Sequence, residues 1–272
     1  MSRQQRTLRH VIGCAGVGLH SGARVGLTLC PAAESTGIRF RRVDRHGTEP
    51  IAASLAQVSG ASMGTCLGHP TGGVHMIQHL MAAFAACEID NALVEISGPE
   101  LPIMDGSARP FVLLMECAGT LEQSHPAATL ELLQPVAARS DRGTARLEPA
   151  GGLELFVDAP NGTRPFAFRF SSEGCKSELV AARTEACRDR VGNDRTDRFA
   201  DEPTRHATLD ALADLALIPA RLKGRFIQSG DDPHLRRDLL RRLLADRRSW
   251  RLIDGANPTP AWVSSAPPAY AC

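Results

Sequence analysis

The run Val74 to Ile89, VHMIQHLMAAFAACEI, leaves this chain few ways to fold. Met76, Leu80, Ala83, Phe84 and Cys87 recur at helical spacing, which predicts an amphipathic helix with an apolar stripe. His75 and His79 stand four apart, on one face of that helix. Far downstream, Arg205 to Leu217 (RHATLDALADLAL) repeats the arrangement, with His206 and Asp210 four apart and Leu209, Leu212 and Ala213 beside them. Two such helices bury their stripes most easily against each other. That packing would gather imidazole and carboxylate groups around one metal ion.

The remaining pattern predicts two similar halves. Residues 6 to 44 read as strands separated by turns, including the alternating VGLTL and GIRFRRV. Residues 45–73 are loop-rich, with a short strand at Ile51 to Leu55. After the long helix, ALVEI at 92–96 reads as a buried strand. Asp105-Gly106 marks a tight turn, and Ser107 is placed to cap a helix through Phe111 to Cys117. The polar stretch 119–128 reads as a linker. Beyond it LELLQPVAA, TARLEP, LELFVDA and PFAFRF read as four strands. A helix at 177–187, a polar loop at 188–202, a helix at 204–217, a strand at 221–228 and a basic helix near 234–248 follow. Strands and then helices in each half predict an α+β fold of two domains, 1–122 and 129–272. Each is a sheet with helices on one face, and the helix layers pack together as a β-α-α-β sandwich.

Composition narrows the function. A formal net charge of +1 argues against bulk nucleic-acid binding, and with 4% aromatic residues base-stacking platforms are scarce. The eight cysteines form no CxxC pair, and several lie in apolar runs, so they read as reduced thiols of a cytosolic protein. No apolar h-region follows the basic N-terminus, and no run is long enough for a transmembrane segment. The expectation is a cytoplasmic monomer, with at most transient contact between its arginine-rich helix and a membrane surface. Gly16-Val17-Gly18-Leu19-His20-Ser21-Gly22 mimics a dinucleotide loop but lacks the third glycine and a following helix.

Zinc takes histidine nitrogen and carboxylate oxygen, and a hydrolytic site uses three protein ligands with one position open to water. His79, His206 and Asp210 would suffice, with His75 a fourth candidate. Nine histidines make one such pair expected by chance, and a lone helix histidine is ordinarily a surface residue. Asp105 is placed either to orient a ligand imidazole or simply to make its turn. Thr184, beside Arg183, reads on its own as an ordinary helix residue.

Several long stretches carry a resemblance. They are QRTLRHVIGCAGVGLHSG, TGIRFRRVD, IQHLMAAFAACEIDNALVEISGPELPIMDGSARPFV, ARTEA, DEPTRHATLDALADLAL and LLRRLLADRRSW. In that order the chain resembles the UDP-3-O-acyl-N-acetylglucosamine deacetylases of bacterial lipid A synthesis. The resemblance implies zinc held by His79, His206 and Asp210, without His75. It implies removal of the 2-N-acetyl group from a UDP-linked acylated glucosamine. Zinc would polarise the amide, a glutamate before the first histidine would take a proton from water, and a histidine would protonate the leaving amine. Thr184 matches a threonine that helps stabilise the oxyanion.

The chain departs from the family where the chemistry is done. Gln78 stands in the glutamate's place, and an amide cannot accept that proton. Ala207 replaces a lysine expected after the second zinc histidine. Asp231 falls where the acid histidine is expected after Ser229-Gly230, with His234 three residues on. The segment between Thr184 and His206 is too short for the small βαβ insert that lines the acyl passage. Three readings stay open. One is a deacetylase slowed by Gln78, Ala207 and Asp231. The second is a weak or inactive zinc- and UDP-sugar-binding paralogue. The third is a zinc amidohydrolase of a smaller, unacylated sugar.

Overall fold

A computed structural model describes residues 3–59, 65–69, 72–158, 165–188, 196–218, 220–230 and 232–253. The first half contains β1 (Gln4–Leu8), β2 (Ile12–Val17), β3 (Arg24–Pro31), β4 (Ile38–Arg42), β5 (Ile51–Ala52), β6 (Val58–Ser59), β7 (Cys66–Leu67), β8 (Val74–His75), α1 (Gln78–Cys87), β9 (Ala92–Ile96), α2 (Arg109–Ala118) and β10 (Thr120–Pro126). The second contains β11 (Thr129–Leu132), β12 (Val136–Ser140), β13 (Gly143–Glu148), β14 (Leu153–Val157), β15 (Phe166–Arg169), α3 (Ser172–Glu178), α4 (Glu185–Arg188), α5 (Glu202–Leu215), β16 (Arg221–Gly230), α6 (Pro233–Ala245) and β17 (Trp250–Ile253).

The fold is α+β, and its two large sheets share one plan. In the first, β2, β3 and β9 run antiparallel in turn, β4 lies parallel to β9, and β5 closes the edge against β4. In the second, β12, β13 and β16 run antiparallel in turn, β14 lies parallel to β16, and β15 closes the edge against β14. β11 and β17 extend the second sheet. In both halves the parallel pair needs a crossover, and that crossover carries a helix: α1 in the first, α5 in the second. These two helices pack on each other between the sheets. One apolar core runs through both halves, from Leu8 to Trp250.

Local sequence explains the elements. β16 alternates buried and partly buried residues along nearly its whole length, as a strand with one covered face should. α1 is apolar on almost every side and buries seven of its ten residues. A helix with no polar face belongs in a core.

Four expectations need correction. The predicted helix from Val74 begins instead at Gln78. His75 lies on β8, paired with Cys66 of β7, while its carbonyl accepts from Leu101 N. Met76 then turns through φ +59° before the helix starts. His75 and His79 are therefore not partners on one helix. The stretch 119–128 is no linker, since most of it forms β10, antiparallel to β1. The helix expected at 177–187 is split into α3 and α4 around a turn. LELLQPVAA forms two strands, β11 and β12, on either side of Pro135. Residues 189–195 of the polar loop and the tail from 254 lie outside the described residues.

Candidate metal centre

α1 and α5 bring three ligand side chains to one point. One donor atom each from His79, His206 and Asp210 lies within 4.8 Å of the others. The two imidazole rings meet edge to face, 5.2 Å between centroids. His206 Nε2 is 3.7 Å from Asp210 Oδ2, too long for a hydrogen bond. Ligands on a tetrahedral zinc, at bond lengths of about 2.0–2.2 Å, sit about 3.3–3.6 Å apart. His75, on its strand, is not in this group.

The donor chemistry fits a metal ion. His206 Nδ1 donates to the backbone carbonyl of Ala182 at 3.2 Å. A carbonyl can only accept, so the tautomer is fixed and Nε2 keeps its lone pair for a metal. Burial pushes the His79 imidazole down to about 4, helped by His206, while Asp210 and Asp105 pull the other way. His79 is thus neutral at physiological pH, the form that ligates. Asp210 Oδ1 is buried without a hydrogen-bond partner, as is Oε1 of Gln78. An orphaned carboxylate oxygen is costly unless something electropositive joins it.

The turn Leu101 to Ser107 packs beside the triad. Asp105 Oδ1 accepts from Ser107 N and Oγ, and Oδ2 pairs with Arg198 at 3.0 Å. No hydrogen bond joins Asp105 to His79, so it acts on that ring through its field. Ser107 is not the N-cap of α2, a place taken by Ala108 without a side-chain bond; Ser107 Oγ, one residue earlier, accepts from Arg109 N at 3.3 Å. Gly106 has φ +85°, and a Cβ there would meet Cys187 Cβ at 2.6 Å. Glycine is required for this close seam between the halves. Its carbonyl accepts from Thr184 N at 2.9 Å, which places Thr184 beside the Asp-Gly turn.

The short segment after α4 is fastened from within. Glu202, fully buried at the start of α5, accepts from Arg183 N and Nε and from Arg198 N. Arg205 lies over both Phe166 and Phe199. Thirteen residues, 189–201, join α4 to α5, far below the roughly 30 that a strand–helix–strand unit needs.

Gln78 opens α1 and lines a small void together with Asp214 of α5. Ala207 packs against the main core and offers no charge. Asp231 lies outside the described residues. Asp232 is occupied as the cap of α6, accepting from His234 N, and His234 itself is exposed. Asp214 and Arg236 were not singled out by sequence. Asp214 Oδ2 accepts from Arg236 Nε at 2.6 Å, and Arg236 Nη1 donates to Gln228 at 3.2 Å. The available signal was spacing: His206, Asp210 and Asp214 stand at successive intervals of four on α5.

The chain is similar to one family of known proteins over nearly its whole length. Residues 5–192 match the family model described as UDP-3-O-acyl N-acetylglycosamine deacetylase, a span holding His79 and Thr184 but ending before α5. A UDP-3-O-acyl-N-acetylglucosamine deacetylase from Stenotrophomonas maltophilia is 35% identical, covering 98% of this chain and 99% of its own. Proteins of the same name from Methylococcus capsulatus and Acidithiobacillus ferrooxidans are 36% and 35% identical, over 92% and 93% of this chain and 93% and 94% of theirs. The first alignment runs over 303 positions, more than the 272 residues here, so that relative carries residues this chain lacks.

Proposed function

The chain belongs to the UDP-3-O-acyl-N-acetylglucosamine deacetylase family, and from that premise we propose that it hydrolyses the N-acetyl amide of a UDP-linked, acylated glucosamine at a zinc ion. One observation carries the reading: the convergence of His79, His206 and Asp210 from equivalent helices of the two halves. The first domain, 1–122, contributes one ligand, and the second, 129–272, contributes two. The same reading makes the chain a cytoplasmic monomer. No helix among the described residues is long and apolar enough to cross a membrane.

Bound zinc would polarise the amide carbonyl and acidify a water. The protein's part is orientation. The Ala182 carbonyl fixes the His206 ring, burial keeps His79 neutral, and Thr184, tied by its backbone to the Asp-Gly seam, is assigned to the developing oxyanion by the family resemblance. Gln78 supplies no base, and loss of a general base costs about 10²–10⁴-fold. Turnover is therefore slow. Asp231, in the place of the acid histidine, stands in for the missing base in this reading, and another group takes the acid's role. The short segment between Thr184 and His206 favours a short or absent acyl chain on the substrate.

Metal analysis beside a deacetylation assay tests this. Purified protein should carry about one zinc per chain, and His206→Ala should lose it. Unchanged metal in that variant refutes the ligand set. Gln78→Glu should raise turnover by roughly the factor a general base supplies. No gain, with the fold intact, moves the limiting defect to Ala207, Asp231 or the short segment. Zinc without turnover on any sugar makes the chain a binding paralogue. Turnover confined to unacylated sugars selects the smaller substrate.

A further inference from the structure

A ring that ligates through Nε2 is steered by whatever holds its Nδ1, and here the holding group is itself held. His206 Nδ1 donates to the Ala182 carbonyl at 3.2 Å. The N–H of that same peptide group belongs to Arg183, and it donates to Glu202 Oε1 at 2.8 Å. In a trans peptide the C=O and N–H point in opposite directions, so carboxylate, peptide and imidazole run in series. Glu202 and His206 stand one turn apart on α5 and grip the two ends of one peptide. The peptides on either side are fastened too. The Ala181 carbonyl accepts from Arg198 Nη1 at 3.1 Å. Ala182 N donates to the Leu179 carbonyl, and Thr184 N to that of Gly106, at 2.9 Å each.

Glu202 is fully buried, and a carboxylate in such a place is expensive. Burial works against its charge, but hydrogen bonds from the Arg183 side chain and from the amides of Arg183 and Arg198 outweigh it. The carboxyl therefore stays below its ordinary range and ionised. We propose that Glu202 is a positioning residue of the metal centre that acts on His206 through the Ala182–Arg183 peptide. It polarises the Ala182 carbonyl, tightens that carbonyl's hold on the Nδ1 proton and makes Nε2 a stronger donor to a metal ion. Hydrogen bonds in series strengthen one another, and the low dielectric of the interior adds to this. A bond with one ionised partner is roughly twice as strong as a neutral one. Carboxylates commonly raise the basicity of a ligand imidazole by bonding it directly. Glu202 does so from one peptide further out. On the metal-centre reading on which this rests, Glu202 touches neither the ion nor the substrate. Its mark in the sequence is spacing, since Glu202, His206 and Asp210 follow one another at intervals of four.

The test uses the full-length protein, with zinc affinity read by dye competition and imidazole proton–nitrogen spectra taken of the metal-free form. The His206 Nδ1 proton is identified by its loss in His206→Ala. Glu202→Gln keeps the shape and an oxygen for the Arg183 amide but removes the charge. Its Nδ1 resonance should move upfield, as for a weaker hydrogen bond. Zinc affinity should fall about tenfold, the low end of what an outer-shell partner contributes. Arg183→Met breaks the same ion pair but leaves the carboxylate on the peptide, so its zinc affinity should stay within threefold of the parent. If the glutamine variant fails to fold, Glu202→Gln with Arg183→Met removes both charges without leaving either unpaired. It should fold and show the same loss. Zinc affinity within threefold of the parent in the glutamine or paired variant would overturn the proposal, as would an unmoved resonance. Equal losses in Glu202→Gln and Arg183→Met would also overturn it, reducing the ion pair to structure. A parent that takes up no zinc sinks the metal-centre reading, whereas zinc uptake with an unmoved resonance sinks only the role of Glu202.

Discussion

α1 and α5 fill the same place in the two halves, yet they hold their ligands by opposite means. α1 is uncharged along its length and keeps His79 in position by packing, with Leu80, Ala82 and Ala83 fully buried around it. α5 buries Glu202, Thr204, Thr208 and Asp214, and His206 is held by its hydrogen bond to the Ala182 carbonyl. The difference teaches that one metal site can be steadied by shape on one side and by charge on the other. Changes of volume should damage the first side and changes of charge the second.

Four measurements break or sharpen that contrast. The largest effect is expected from Asp210→Ala. Metal affinity should fall beyond the roughly 10–100-fold that losing an outer-shell partner costs. Dye competition would measure it, and a smaller drop would free α5 from its assigned role. Next, Glu202→Ala leaves Arg183 buried without its carboxylate and should cost about 3–5 kcal/mol in denaturant unfolding. A loss under about 1 kcal/mol would show that polar anchoring of α5 is unimportant.

The third concerns pH. In metal-free protein His79 titrates near 4, below its ordinary 6.5. Between those values the unfolded chain holds the extra proton, so stability must rise with pH across the window and fall on acidification. The slope approaches about 1.4 kcal/mol per pH unit and flattens below about 4. Thermal melts of the parent and His79→Leu check this, since the variant should lose the slope. The smallest effect is expected on α1. Ala83→Leu overfills a packed helix and should cost about 1–3 kcal/mol, with the zinc-loaded protein's affinity for acetate, an anionic probe of the site, hardly changed. A tenfold change in that affinity would mean that packing and charge are not separable.

Sequence pattern made the two helices visible because their apolar repeats are long and their ligands evenly spaced. It misjudged the start of α1, because periodicity cannot register a left-handed turn at Met76. It took β10 for a linker, since most of that strand's side chains are exposed and its partner, β1, lies more than a hundred residues away. The resemblance supplied the ligand set that spacing alone left open. The arginine-rich helix α6 is expected at the surface, within reach of a membrane, yet Arg237 is buried and Arg236 nearly so. A charge run cannot say which of its members turn inward, because that depends on an acid contributed by another element, here Asp214.

The ribbon of β1 and β10 returns the chain to its own beginning before the second sheet starts. Every sheet is therefore completed by residues on one side of Ala127-Ala128 or the other. A polypeptide severed at that joint would yield two fragments, each with unbroken ladders. Their reunion would depend on the α1–α5 contact and, under the proposed reading, on a cation bound between those helices, so reassembly of co-expressed fragments would become a gauge of metal occupancy.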